Sequence, residues 1–156
     1  METVRPHLLA GLTDDQAEEV AALGSGKTLA AGEVLFDLGD AAGSLFVLEA
    51  GRVALSLPMK VQGTEKDVLI EERIPGEAFG WSALVPPHRF TLKASASMES
   101  EVLMLPRAAL LDHFAARPEV GYAVTRDVAT IVGQRLQVLQ AMWLREMQRV
   151  VELSRA

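Results

Sequence analysis

The spacing of apolar positions changes character twice along the chain. Leu8-Leu9-Ala10-Gly11-Leu12 leads into Thr13-Asp14-Asp15-Gln16, where Thr13 is placed to cap a helix and Gln16, three residues on, to complete a capping box. The spacing predicts a helix running to about Leu23. From residue 34 to 105 the pattern becomes short runs of Val, Leu, Ile and Phe between glycines at Gly32, Gly39, Gly43, Gly51, Gly63, Gly76 and Gly80. That is the spacing of strands and turns. In Val53-Ala54-Leu55-Ser56-Leu57 large apolar residues alternate with small ones. Strand character resumes at Val68-Leu69-Ile70, after the polar turn Gln62-Gly63-Thr64-Glu65-Lys66-Asp67. Short strands in this number predict a compact barrel or jelly roll.

Beyond Pro106 the period is helical. Leu110, Leu111 and Phe114 share a face over residues 107–116, Pro118 interrupts, and residues 119–155 contain no proline, which predicts one long helix. Taken in sevens, Ala129, Leu136, Trp143 and Val150 form one stripe and Val132, Leu139, Glu146 and Leu153 a second, a coiled-coil seam with one charged exception. Such a stripe can pack back on its own barrel or against a second copy. The helix is long enough to overhang a domain of this size, so a parallel homodimer through Val132, Leu136, Leu139 and Trp143 is expected.

At 156 residues the chain is expected to be a single domain over 1–156: an N-terminal helical segment (8–28), a β-roll (29–105) and C-terminal helices (106–156). Hydrophobic residues are 49% and charged ones 23%, which excludes global disorder. There are no cysteines, so disulfides, thiolate nucleophiles and Cys-ligated zinc are excluded, and a cytoplasmic location is favoured. No apolar run approaches the roughly 20 residues that cross a bilayer, and the opening Met1-Glu2-Thr3-Val4-Arg5-Pro6-His7 lacks the features of a signal peptide. No membrane association is expected. The net charge of −6 leaves the chain without an overall electrostatic footprint for nucleic acid.

Three stretches carry a family likeness. Leu29-Ala30-Ala31-Gly32-Glu33-Val34-Leu35-Phe36-Asp37-Leu38-Gly39-Asp40 is similar to a first strand pair with glycine-bounded turns. Ser44-Leu45-Phe46-Val47-Leu48-Glu49-Ala50-Gly51-Arg52-Val53 is similar to a central hairpin with Gly51 in its tight turn. Pro75-Gly76-Glu77-Ala78-Phe79-Gly80-Trp81-Ser82-Ala83-Leu84, with Arg89 downstream, looks like a phosphate-binding cassette. In this order they resemble the cyclic nucleotide-binding domain family, in particular the sensor domains of bacterial Crp/Fnr-type regulators. The resemblance implies a mainly β fold with flanking helices, a double-stranded β-helix (jelly roll) followed by a long C-terminal dimerisation helix.

The resemblance also implies a ligand site at Gly80, Trp81, Ser82, Ala83, Arg89, Phe90, Thr91 and Leu139. A helical turn opening at Gly80 would present free amides to an anion, and Arg89, the family's cassette arginine, would grip a phosphate through its planar fork. Three departures disfavour cyclic AMP. Trp81 stands where nucleotide-binding members carry a glutamate for the ribose hydroxyl, so a donor-only ring replaces an acceptor. Phe90 follows the arginine where Ser or Thr is usual, and on a strand Thr91 would lie on the face opposite Phe90, with Arg89. Arg135-Leu136-Gln137-Val138 resembles the helix segment that precedes a purine-reading Thr-Ser pair, yet Leu139-Gln140 follows. Unsatisfied base-edge groups cost on the order of 1 to 3 kcal/mol each, enough together to abolish selective cyclic AMP binding.

Other chemistries have less support. Gly24-Ser25-Gly26-Lys27-Thr28 lacks the first glycine of a P-loop, Ala21 standing there, and is read as a helix-ending turn. His7, His88 and His113 include no His-x-His pair, so no metal site is expected. His88 is read as a solvated loop histidine. Arg126, Arg135, Arg145, Arg149 and Arg155, interspersed with Asp127, Glu146 and Glu152, read as a solvated helix face. After the long helix no room remains for a recognition helix, so direct DNA binding is not expected.

The expected function is a non-enzymatic sensor or regulatory module that binds a small anionic ligand, with no cofactor and a regulatory protein as its further partner. A ligand-free scaffold with a vestigial pocket is the alternative, and a metal enzyme comes third.

Overall fold

The computed structural model describes residues 7–155; apart from His7, the opening stretch considered above as a leader lies outside them. Helix α1 (Asp14–Ala21) starts at the capping box, with Gln16 N donating to Thr13 Oγ1 (3.2 Å) and Thr13 N to Gln16 Oε1 (3.0 Å). The helix stops two residues before Leu23 and turns at Gly24, whose amide reaches the Ala21 carbonyl. The stretch expected to be a helix-ending turn is turn only at Gly24. Ser25–Leu29 is strand β1, paired from Ser25 opposite Met104 to Leu29 opposite Ser100. Polar Ser-Gly-Lys-Thr forms a strand because the partner ladder satisfies its backbone, while Leu29 alone anchors it in the core.

The remaining strands are β2 (Val34–Phe36), β3 (Ser44–Ala50), β4 (Val53–Val61), β5 (Thr64–Arg73), β6 (Ala78–Phe79), β7 (Lys93–Ala96) and β8 (Ser100–Pro106). They form two antiparallel four-stranded sheets, ordered β1-β8-β3-β6 and β2-β7-β4-β5. This is the expected jelly-roll arrangement, and its single core draws Leu45, Val47, Phe79 and Val102 from one sheet and Phe36, Val53, Leu55 and Ala94 from the other.

The β4–β5 turn is shorter than the polar stretch suggested. Gln62 and Gly63 have φ of 51° and 80°, the two positive angles of a tight hairpin, and Val61 faces Thr64 across it. Glu65, Lys66 and Asp67 therefore continue the strand. Gly51 does take a tight turn, with φ 93°, but β3 and β4 lie in different sheets, so it makes a corner between sheets and not a hairpin. A Cβ there would meet the Ser100 side chain and lie 2.6 Å from the Glu99 carbonyl oxygen. Ser100 Oγ in turn accepts from Arg52 N (3.1 Å) and donates to Met98 O (2.8 Å), which fixes the corner.

Helices α2 (Arg107–Ala116) and α3 (Pro118–Ser154) follow, with Pro118 in the first turn of α3, where its missing N–H costs nothing. Their crossing is close, since a Cβ on Gly121 would lie 2.8 Å from Phe114 Cβ. Val120, Val124, Val128 and Arg135 form the buried face of α3. Past Arg135 most large apolar residues are uncovered: Leu136 is 66% and Trp143 61% exposed, and Val150 and Leu153 are exposed too, while Val138 and Met142 are half-buried. Among the described residues no helix is long and apolar enough to cross a membrane.

Gly51→Ala should destabilise the domain by about 2 kcal/mol or more, since it combines a positive φ with a backbone clash. A lower urea midpoint at unchanged slope is the expected result.

Candidate functional site

Strand β6 ends at Phe79 and is followed by Gly80, whose φ of 78° and ψ of 34° place it in the left-handed region. A Cβ there would stand 3.0 Å from Phe46 Cδ2 and 3.4 Å from Phe90 Cε1, so both conformation and space call for glycine. One turn of 3-10 helix, Trp81–Ala83, follows directly. The loop after it contains a cis Pro86-Pro87 bond and returns at His88, which has φ 59°. His88, expected to be solvated, is half-buried, and its Nδ1 lies 3.0 Å from the Ser82 carbonyl oxygen, tying the loop's two ends together.

Gly80, Trp81, Ser82, Phe90 and Thr91 line one crevice, floored by Phe36, Leu55 and Leu92 and closed from the helix side by Arg135. Its volume is about 10 Å³, room for about one water. Phe90 is the reason: its ring stacks on Phe36 with centroids 3.6 Å apart and 12° between planes, and Phe46 and Phe79 continue the aromatic cluster. Phe90 and Thr91 both border the crevice, contrary to the alternation expected of a strand, because β7 begins only at Lys93 and residues 90–92 are irregular.

The other sequence-picked residues lie elsewhere. Ala83 is wholly buried in the core. Arg89 is exposed and does not border the crevice; its Nη1 donates to the Gly39 carbonyl oxygen (3.3 Å), and its backbone bridges Ala41. Leu139 is 40% exposed, one helical turn beyond Arg135 and not among the lining residues.

Arg135 is the residue that sequence reasoning missed. Grouped above with solvent-facing arginines, it is only 6% exposed. A signal was present, since Arg135 follows Val128 by seven residues on the stripe that also carries Val124. Its Nη2 lies 3.0 Å from Glu71 Oε2, and the same oxygen accepts from Arg73 Nη2. Arg73 Nη1 then reaches Glu77 Oε2 (3.4 Å), while Glu77 Oε1 accepts from Ile74 N (2.9 Å) and caps the turn that leads to Gly80.

A larger cleft of about 130 Å³ lies on the far side of this cluster, between Arg73 and Glu77 on the roll and Asp127 and Gln134 on α3. It shares no residue with the cassette crevice. Burial raises the Asp127 carboxyl above its ordinary value. Among the described residues no group of three or more His, Asp or Glu side chains is placed to hold a metal ion.

The sequence model of the cyclic nucleotide-binding domain matches residues 26–117, more than half of the chain. The chain belongs to the cyclic nucleotide-binding domain family. The family likeness extends to solved structures of Crp/Fnr-type regulators. The N-terminal domain of a transcriptional regulator from Streptomyces coelicolor A3(2) is 31% identical with a TM-score of 0.71, over 88% of this chain and 94% of that one. The catabolite activator protein of Thermus thermophilus is 23% identical with a TM-score of 0.72, over 90% of this chain and 62% of that one. The c-di-GMP responsive global regulator CLP of Xanthomonas campestris is 15% identical with a TM-score of 0.75, over 85% and 64%. The last two share the fold alone. A comparison with curated proteins finds no match. Gly80 and the short turn after it line the crevice, and the Phe90 ring stacked on Phe36 narrows it.

Phe90→Ala removes one face of the tightest aromatic stack and should cost about 3 kcal/mol of stability. Urea denaturation followed by tryptophan emission measures it.

Proposed function

We propose that the chain is a non-enzymatic regulatory sensor domain whose cassette takes a small anionic ligand with an apolar portion, and whose long helix carries the response. The carrying observation is that Gly80, Trp81, Ser82, Phe90 and Thr91 of the roll meet Arg135 of α3 in one crevice, so anything that enters touches roll and helix together. A ligand acts by binding one arrangement of roll and helix better than another. Trp81 and Phe90 favour an apolar or aromatic portion over a ribose, so cyclic AMP is a poor candidate. Arg89, exposed and next to Phe90 in the chain, adds a second cation outside the crevice to which a phosphate or carboxylate can attach.

In a Trp143→Phe background Trp81 is the sole tryptophan and reports entry directly. Binding of an anionic aromatic ligand should change its emission, with Arg89→Ala weakening the affinity. Micromolar cyclic AMP binding by calorimetry would overturn the pocket assignment. A ligand-free scaffold is the second reading, and the 3.6 Å Phe90–Phe36 stack favours it, since the ring occupies the space beside Gly80. Under that reading Trp81 emission stays constant with every anion offered.

The exposed seam of α3 supports a parallel homodimer. Leu136 and Trp143, both more than half exposed, lie seven residues apart with Leu139 between them, while Val132, one turn earlier, is half-buried against the core and would join the seam only at its edge. The domain acts on a protein partner and not on DNA, in keeping with a net charge of −6. Leu136→Asp would bury an unpaired charge at the seam and should convert dimer to monomer in sedimentation. A wild-type monomer at high micromolar concentration would remove the dimer.

A further inference from the structure

The cassette crevice has one charged residue among those that line it, Arg135. A free guanidinium there would be an open seat for an anion, but this one is taken. Glu71 Oε2 sits 3.0 Å from Arg135 Nη2 and also accepts from Arg73, and the three side chains are between 7% and 14% exposed. We propose that Glu71 is a resident anion that occupies Arg135 and keeps α3 seated on β5, so that an anionic ligand enters the cassette by taking Glu71's place. This inference rests on the sensor reading above and adds the step that couples entry to the helix.

Three features support it. First, the cluster is rich in donors: two guanidiniums offer five N–H groups each, while the Nε atoms of Arg73 and Arg135 are buried without an acceptor. An additional oxyanion therefore finds unused donors in the cluster once the side chains shift. Second, exchange keeps charges paired. Glu71, on leaving Arg135, retains Arg73, and Arg135 gains the ligand, so neither a buried cation nor a buried carboxylate is stranded, the outcome that makes breaking such pairs costly. Third, the exchange acts where it can be transmitted. Arg135 precedes Leu136 of the apolar seam and is the last buried residue of α3, so loosening it frees the boundary between the seated and overhanging parts of the helix.

The test uses the full chain with Trp143→Phe and inorganic phosphate as the probe, titrated at constant ionic strength against Trp81 emission. E71Q removes the resident charge without shortening the side chain. It should bind phosphate about tenfold or more tightly than the parent, the gain expected from freeing a charge-assisted contact. The E71Q/R135Q pair should lose that gain, and amide exchange over residues 131–139 should be faster in E71Q than in the parent. Equal phosphate affinity in E71Q and parent, including no binding by either, overturns the proposal, as does unchanged tight binding by E71Q/R135Q. Should E71Q fail to fold, E71D keeps the charge but withdraws it by one methylene. A rise in phosphate affinity then supports displacement, and an unchanged affinity overturns it. If the parent binds an anionic ligand and E71Q changes nothing, the sensor reading stands and the resident anion falls. If the parent binds no anion while E71Q binds phosphate, Glu71 occludes the site and the parent's sensor role falls.

Discussion

One carboxylate, that of Glu71, pairs with two arginines on different elements, and the seating of α3 depends on it. Arg135 reaches the roll only because Val120, Val124 and Val128 have already turned its stripe inward. Once buried it must find an anion, because a desolvated guanidinium without a partner is far more costly than a surface arginine. Glu71 supplies that anion from β5, and Arg73 and Glu77 balance it. Apolar packing alone tolerates small slides of a helix along a sheet. A pair held at 3.0 Å does not, so the cluster fixes the axial register of α3 on the roll.

The cassette is constrained from the opposite side. Glu77 closes the turn leading to Gly80, so the charged cluster and the cassette backbone share a residue. Gly80 in turn is confined by Phe46 and Phe90, and Phe90 by Phe36. A shift of the Phe90 ring is therefore felt at the backbone of Gly80, two contacts from the side chains that hold α3. The apolar filling around Phe90 and the arginine that holds the helix are neighbouring walls of a single narrow space.

Much of this was legible in the sequence. The capping box at Thr13 and Gln16 and the glycine that opens the short 3-10 turn follow from local rules and appear as expected, whereas β4 alternates only as far as Leu55, where a register shift buries Ser56 and leaves Leu57 half-buried. What was not legible depends on partners distant in the chain. Ser25–Leu29 carries no alternating pattern, and only its pairing with β8 makes it a strand. Gly51 was identified as a turn, but whether its flanking strands pair or part is decided by the sheet to which each is recruited. The candidate site residues split in the same way: Trp81 and Ser82, next to Gly80 in sequence, line the crevice with it, while Arg89 turns to the Gly39 carbonyl and Leu139 stays outside. Arg135 lies on the buried stripe of α3 although the mixed charges along the helix are those of a solvated face. Its burial needs Glu71, sixty-four residues earlier.

The uncovered stretch of α3 gives the domain mechanical gain. From Leu136 to Ser154 the helix extends about 28 Å beyond its last buried residue at 1.5 Å per residue. A tilt of about 10° about Arg135 would carry the free end through about 5 Å, on the scale of one helical turn. Side-chain rearrangements of an ångström or so inside a crevice too small for a second water thus have, at the other end of the same rigid rod, the amplitude of a register change.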